Sequence, residues 1–189
     1  DSEQYAVRFE KLYPVGTATP TTLALCNIYL INGEFEKAAK SLRWINYKRI
    51  RPYYLVCSYN VYLSYQLSFN YVQDAKETLK EMREKIDTLK FSPAKKELCE
   101  SIYQAKKMRC SMYEGNYDGV EECFSTNCQN EKTELNRVMM KFSLAELFLA
   151  QNRIPEAKEA FTYVAAHGNT TYYAKQAREE LDRLRLSEN

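Results

Sequence analysis

The chain has 189 residues, 27 Lys and Arg against 25 Asp and Glu, a formal net charge of +2 and one histidine. That length suffices to bury a good core as one domain. Near-balanced charge argues against a nucleic-acid binder that works by charge alone, and a single histidine leaves little material for metal or triad chemistry.

Helical periodicity and punctuation predict helices over 3–13, 20–31, 34–47, 52–68, 71–89, 93–113, 117–126, 132–150, 155–166 and 170–186. The first, with Tyr5, Ala6, Phe9 and Leu12, reads as the second helix of a truncated hairpin, so 1–16 is set apart as an N-terminal helix. Thr19-Pro20 and Ser92-Pro93 read as a cap followed by a first helical residue, and Pro52 and Pro155 fall at helix starts. Gly119 interrupts the helix expected over 117–126. Residues 17–169 form four helical hairpins that end at His167-Gly168-Asn169. Over 170–189, Tyr173, Ala174, Ala177, Leu181 and Leu184 make a narrow apolar stripe, as a terminal capping helix requires. No strand-like alternation competes, and the fold class is all-α.

One pattern recurs four times: Gly33-Phe35-Ala38-Leu42, Asn70-Val72-Ala75-Leu79, Gly115-Tyr117-Val120-Phe124 and Asn152-Ile154-Ala157-Phe161. The copies start 37, 45 and 37 residues apart, a helical-hairpin period. Gly or Asn tolerates the left-handed backbone that turns the chain. The bulky residue plugs the wedge between helices, the small one permits close approach, and Leu or Phe fills the core one turn on. One hairpin cannot bury its own apolar face, whereas a stack of four can.

In these residues the chain resembles the tetratricopeptide repeat family over roughly 17–165. Repeat one carries Leu25, Cys26 and Tyr29 before its turn; repeat four carries Leu144, Ala145 and Phe148. Repeats two and three depart from the family at Leu63 and Met108, where it prefers a small residue. The resemblance implies a right-handed superhelical solenoid of about four antiparallel hairpins with a C-terminal capping helix. It also implies a concave groove lined mainly by the first helices, and no chemistry.

The stretch from Lys37 to Gln73 holds Lys37, Lys40, Arg43, Lys48, Arg49 and Arg51 without one Asp or Glu, together with Trp44 and seven tyrosines. One reading is a face for an acidic peptide or a C-terminal carboxylate, cations holding charge and tyrosines supplying flat contact area. The plainer reading is a helix buried on several sides with a solvated basic loop before it. The candidate peptide-binding residues are Asn27, Tyr59, Tyr62, Gln66, Gln104 and Lys107, expected exposed in the groove, with Arg49 and Arg51 at its rim.

The expected function is a non-catalytic protein–protein interaction module for a protein or peptide, with no cofactor and no metal. One alternative is a self-assembling scaffold. The acidic segment with Glu114, Asp118, Glu121, Glu122, Glu131 and Glu134 would meet the basic segment of another copy, or an uncovered end with Tyr172, Tyr173, Leu184 and Leu186 would stack. Single-stranded nucleic acid is the third class.

The six cysteines show no CxxC spacing and read as reduced, structural thiols of a reducing, cytoplasmic compartment, with Cys123 and Cys128 as the one pair close in sequence. The uncharged run 53–73 has the length of a membrane span, but its polar residues and the repeat-two turn argue against one. Asp1 in first place leaves open an N-terminal signal or anchor that was removed. His167 at a helix end suits the helix dipole, and no nucleophile–base motif surrounds it.

Overall fold

A computed structural model describes residues 19–186, which leaves the helix expected over 3–13 outside the described residues. Among the described residues the chain is all-helical, without a strand. Its elements are α1 (Thr19–Ile31), α2 (Phe35–Ser41) with a 3-10 turn (Leu42–Trp44), α3 (Pro52–Ser68), α4 (Val72–Thr88), α5 (Pro93–Tyr113), α6 (Val120–Asn130), α7 (Glu134–Ala150), α8 (Ile154–His167) and α9 (Tyr172–Leu186). They fall into two compact units that divide within α5, between Cys110 and Ser111.

In the first unit α1 packs on α2, both pack on α3, and α3 pairs with α4. Leu23, Cys26, Leu30, Ala38, Leu42, Ile45 and Val61 make one core cluster. Val56, Leu63, Leu67, Ala75, Leu79, Met82, Ile86, Cys99 and Cys110 make a second. In the second unit α7 packs against α6 and α8, and α9 covers α8. There Phe142 meets Phe161 and Tyr173 edge-on at 5.8 and 5.4 Å.

The four-fold pattern has one local geometry. Gly33, Asn70, Gly115 and Asn152 all adopt positive φ, at 77°, 58°, 77° and 58°. At each, its own N–H reaches back three residues and the next N–H reaches back five: Glu34 to the Tyr29 carbonyl at 2.8 Å, Tyr71 to Gln66 at 2.8 Å, Asn116 to Ser111 at 3.0 Å, Arg153 to Phe148 at 2.8 Å. These bonds satisfy carbonyls that the end of a helix leaves open. The small residues Ala38, Ala75, Val120 and Ala157 are fully buried, and Leu42, Leu79, Phe124 and Phe161 are buried beside them. Each large side chain so buried contributes about 2 kcal/mol before entropy is subtracted.

The expected helix over 34–47 is cut short: α2 ends at Ser41, and Ile45 is extended at φ −80°, ψ 130°. The Asn46 side chain accepts from the Lys48 N–H at 3.1 Å, an alternative partner that favours a turn over another helical turn. The helix expected from 117 begins instead at Val120, because Gly119 is left-handed at φ 69° and stands before the helix rather than inside it. It runs on to Asn130. The cap residues Tyr173, Ala174, Ala177 and Leu184 are buried as expected, and only Leu186 of the presumed uncovered end is strongly exposed, at 77%. No helix among the described residues is long and apolar enough to cross a membrane. The uncharged run 53–73 is divided by the turn at Asn70 between α3 and α4.

Candidate functional site

The basic stretch becomes α2, an irregular segment and α3. Lys37 is paired with Glu34, the residue that precedes α2, and Lys40 with Glu36 of the same helix at 3.6 Å. The Arg43 guanidinium lies 5.7 Å from the Trp44 ring centre. Arg43, Lys48, Arg49 and Arg51 are exposed, and among the described residues no carboxylate pairs with them. The chain there has β-like backbone before Pro52, which disfavours helix for the residue preceding it. That geometry leaves the arginine side chains in solvent.

Four rings cluster around the C-terminal end of α3, the end opposite Arg51. Tyr65 touches Tyr62, Phe69 and Tyr71 at centroid distances of 6.0, 5.2 and 6.2 Å. Tyr62, Phe69 and Tyr71 are 42%, 42% and 47% exposed. Burial raises the Tyr65 phenol pKa, with Tyr71, Glu36 and Tyr62 acting the same way.

The other expected site residues divide among elements. Asn27 on α1 and Gln104 and Lys107 on α5 are exposed. Tyr59 is half-buried, and its hydroxyl donates to Glu81 Oε2 of α4 at 3.4 Å. Burial, then Glu81, raises its pKa. Gln66 is a correction: expected exposed, it is buried, and among the described residues its Oε1 has no hydrogen-bond partner. The reason is helical phase. Gln66 stands seven residues from Tyr59, on the same stripe of α3, which is turned toward α4. No hydrogen bond, ion pair or ring contact among the described residues joins Asn27, the Tyr59–Gln66 stripe, the Gln104–Lys107 pair and the two arginines to one another.

The opposite flank of α3 meets α5, and sequence reading missed it. Lys95 Nζ sits 3.7 Å from the Tyr53 ring centre and 6.0 Å from that of Tyr54. Three turns along α5, Lys106 Nζ donates to Ser64 Oγ at 2.6 Å, and Ser64 Oγ donates to the Asn60 carbonyl at 2.9 Å. Burial, with the Arg109 charge adding to it, pushes the Lys106 ammonium down to about 7. The signal was present: 95, 99, 102 and 106 share one face of α5, and 53, 57, 60 and 64 share one face of α3. The choice between Lys106 and its neighbour Lys107 needed the phase of α5.

On its other side α5 is held to α4. Arg83 donates in bidentate fashion to Glu100, 2.6 and 2.9 Å, and also to Asp87. The guanidinium stands 5.0 Å from the Tyr103 ring centre. It holds the Glu100 and Asp87 carboxyls below their ordinary range.

In the second unit three acids of the acidic segment, Glu121, Glu131 and Glu134, are engaged locally. Arg153 bonds Glu121 at 2.6 Å and Glu156 at 3.0 Å. Glu131 accepts from Asn136 at 2.9 Å, and Glu134 accepts from Arg137 at 2.8 Å and from Tyr163 at 2.7 Å. His167 stacks on Tyr163, ring centres 4.3 Å apart, with Nδ1 3.5 Å from Glu134. None of the six cysteines is joined in a disulfide. Burial pushes Cys26 up to about 12 and Cys99 up to about 11, which makes them poor nucleophiles. No cluster of three or more His, Cys, Asp and Glu among the described residues is arranged to hold a metal ion. No protein-family model, no curated protein and no solved structure matches the chain.

Proposed function

We propose that the chain is a protein–protein interaction module of tetratricopeptide-like hairpins, without catalytic activity, that takes an acidic peptide or protein segment. The supporting observation is the segment from Arg43 to Tyr71. It presents four cations that no carboxylate among the described residues neutralises, together with exposed aromatic faces at Tyr47, Tyr62, Phe69 and Tyr71. Guanidinium groups recognise carboxylates through parallel hydrogen bonds, and tyrosines add contact area at small entropic cost. A concave groove lined by the first helices, with Arg49 and Arg51 at its rim, belongs to this reading.

The test is a pull-down from native lysate with the wild-type chain beside an Arg49→Glu, Arg51→Glu double variant, followed by titration of the identified acidic segment. The variant is expected to bind at least about tenfold more weakly, the loss of two charge-assisted contacts, with an unchanged circular dichroism spectrum. Equal affinity of the two proteins would sink the basic-rim proposal.

Self-assembly is the competing reading. It is weakened by the engagement of Glu121, Glu131 and Glu134 with partners in their own unit.

A further inference from the structure

The environment of Lys106 has a consequence independent of peptide binding. Its amine donates to a hydroxyl, and among the described residues it is paired with no carboxylate. The wall opposite carries no charge, since α3 contains no Asp, Glu, Lys or Arg from Pro52 to Ser68. On that wall Ser64 and Asn60 are in place at the amine, with Cys57 and Tyr53 further along.

On its own helix the neighbours are Arg109, Lys107, Tyr103 and Cys110. The acids of α5 point elsewhere: Glu97 stands nine residues away, on the opposite face, and Glu100 is turned to Arg83 of α4. A cation held beside another cation, against a neutral wall, favours losing its proton.

We propose that Lys106 is a nucleophilic amine and a site of acyl modification, the first lysine of the chain to react with a small acyl thioester. The lone pair of Nζ attacks the thioester carbonyl carbon and forms the C–N bond. Collapse of the tetrahedral intermediate breaks the C–S bond. The departing thiolate takes the surplus proton from nitrogen, so the products are an amide and a thiol. Ser64 Oγ accepts one N–H and fixes the amine at the α3–α5 seam; the seam supplies no carboxylate to restore the ammonium. Lys107, exposed on the adjacent position of the same helix, is the internal comparison.

At pH 7 about half of an amine that titrates near pH 7 is unprotonated, against less than about 0.1% of an ordinary lysine. Intrinsic nucleophilicity falls with basicity and returns part of that advantage.

The full chain is incubated with S-acetyl-N-acetylcysteamine from pH 6 to pH 10, and acetylation of each lysine is followed by peptide mass mapping. The expected result is Lys106 reacting at least about tenfold faster than Lys107 at pH 7.5, with a rate that levels off above pH 8 while that of Lys107 keeps rising. A Ser64→Asp variant, which places a carboxylate against the amine, is expected to lower the Lys106 rate about tenfold and leave Lys107 unchanged. Equal rates at Lys106 and Lys107 in the wild-type chain would overturn the proposal, as would a Lys106 profile still rising through pH 10. Should Ser64→Asp not fold by circular dichroism, the wild-type rate ratio and pH profile decide alone.

Discussion

Lys106 and Glu100 lie on different faces of one helix, and their titrations carry opposite signs. The Lys106 ammonium falls from 10.5 to about 7 on folding. Between those values the unfolded chain holds a proton that the folded chain has lost, so stability rises with pH across that window. The cost is full below pH 7 and fades toward pH 10.5. Lys106→Met is therefore expected to raise stability at pH 7 by about 1–3 kcal/mol, measured by urea denaturation. The gain should shrink toward zero at pH 10; a gain of equal size at both pH values would mean improved packing instead. Glu100 runs the other way. Its pKa is lowered chiefly by the Arg83 hydrogen bond, so its contribution is present above the ordinary carboxylate range and is lost as pH falls through the folded value. Glu100→Gln should cost about 0.5–1 kcal/mol at pH 7, the scale of a partly exposed pair. The difference from wild type should disappear near pH 3, which parallel acid titrations of the two proteins would reveal.

At the scale of elements, turns set how closely helices approach. The four repeated turns use Gly or Asn because the left-handed backbone costs other residues about 1 kcal/mol or more. Gly168, by contrast, has φ −82° and is small for a steric reason. A Cβ built there would stand 2.7 Å from Ala174 Cβ and 2.7 Å from the Val164 carbonyl oxygen. One contact is with backbone and the other with a fully buried alanine, so neither side can give cheaply. Gly168→Ala is expected to destabilise by about 1–3 kcal/mol by prying α9 from α8, and thermal unfolding would show a lowered midpoint. A midpoint within one degree of wild type would mean the junction relaxes freely. The same close junction accompanies the burial of Tyr173 and Leu184, which the self-assembly alternative alone placed at an uncovered end, in the α7–α8–α9 core.

For the whole molecule, the peptide-binding and self-assembly readings differ in one measurable quantity. A module that takes a peptide segment keeps its monomer mass of 22.2 kDa when concentration rises or salt falls. A head-to-tail scaffold grows under both changes, since its contact would join unlike charges that salt screens. Light scattering over a hundredfold range of concentration at low and high salt is expected to return the monomer mass throughout. Growth reversed by salt would shift the assignment to a scaffold. The division of the described residues at Cys110–Ser111 falls inside a continuous helix.

Among the described residues, the sequence alone determined the helices apart from some of their ends, the turn residues and the small–large core positions. Those are local properties: backbone freedom at Gly33, Asn70, Gly115 and Asn152, and spacing of apolar residues along a helix, act within a few residues of one another. The end of α2 was less legible because the Asn46 side chain competes with helix hydrogen bonds. Gly119 was read as a break rather than as the residue before a helix, since both roles need the same backbone freedom. Only the tertiary structure decided which flank of α3 meets α4 and which meets α5. That choice buried Gln66, left Tyr62 outside and carried Lys106, not Lys107, to Ser64. Neighbouring residues on a helix differ by about 100° in direction, so the rotational phase at which two helices pack sets which one is desolvated.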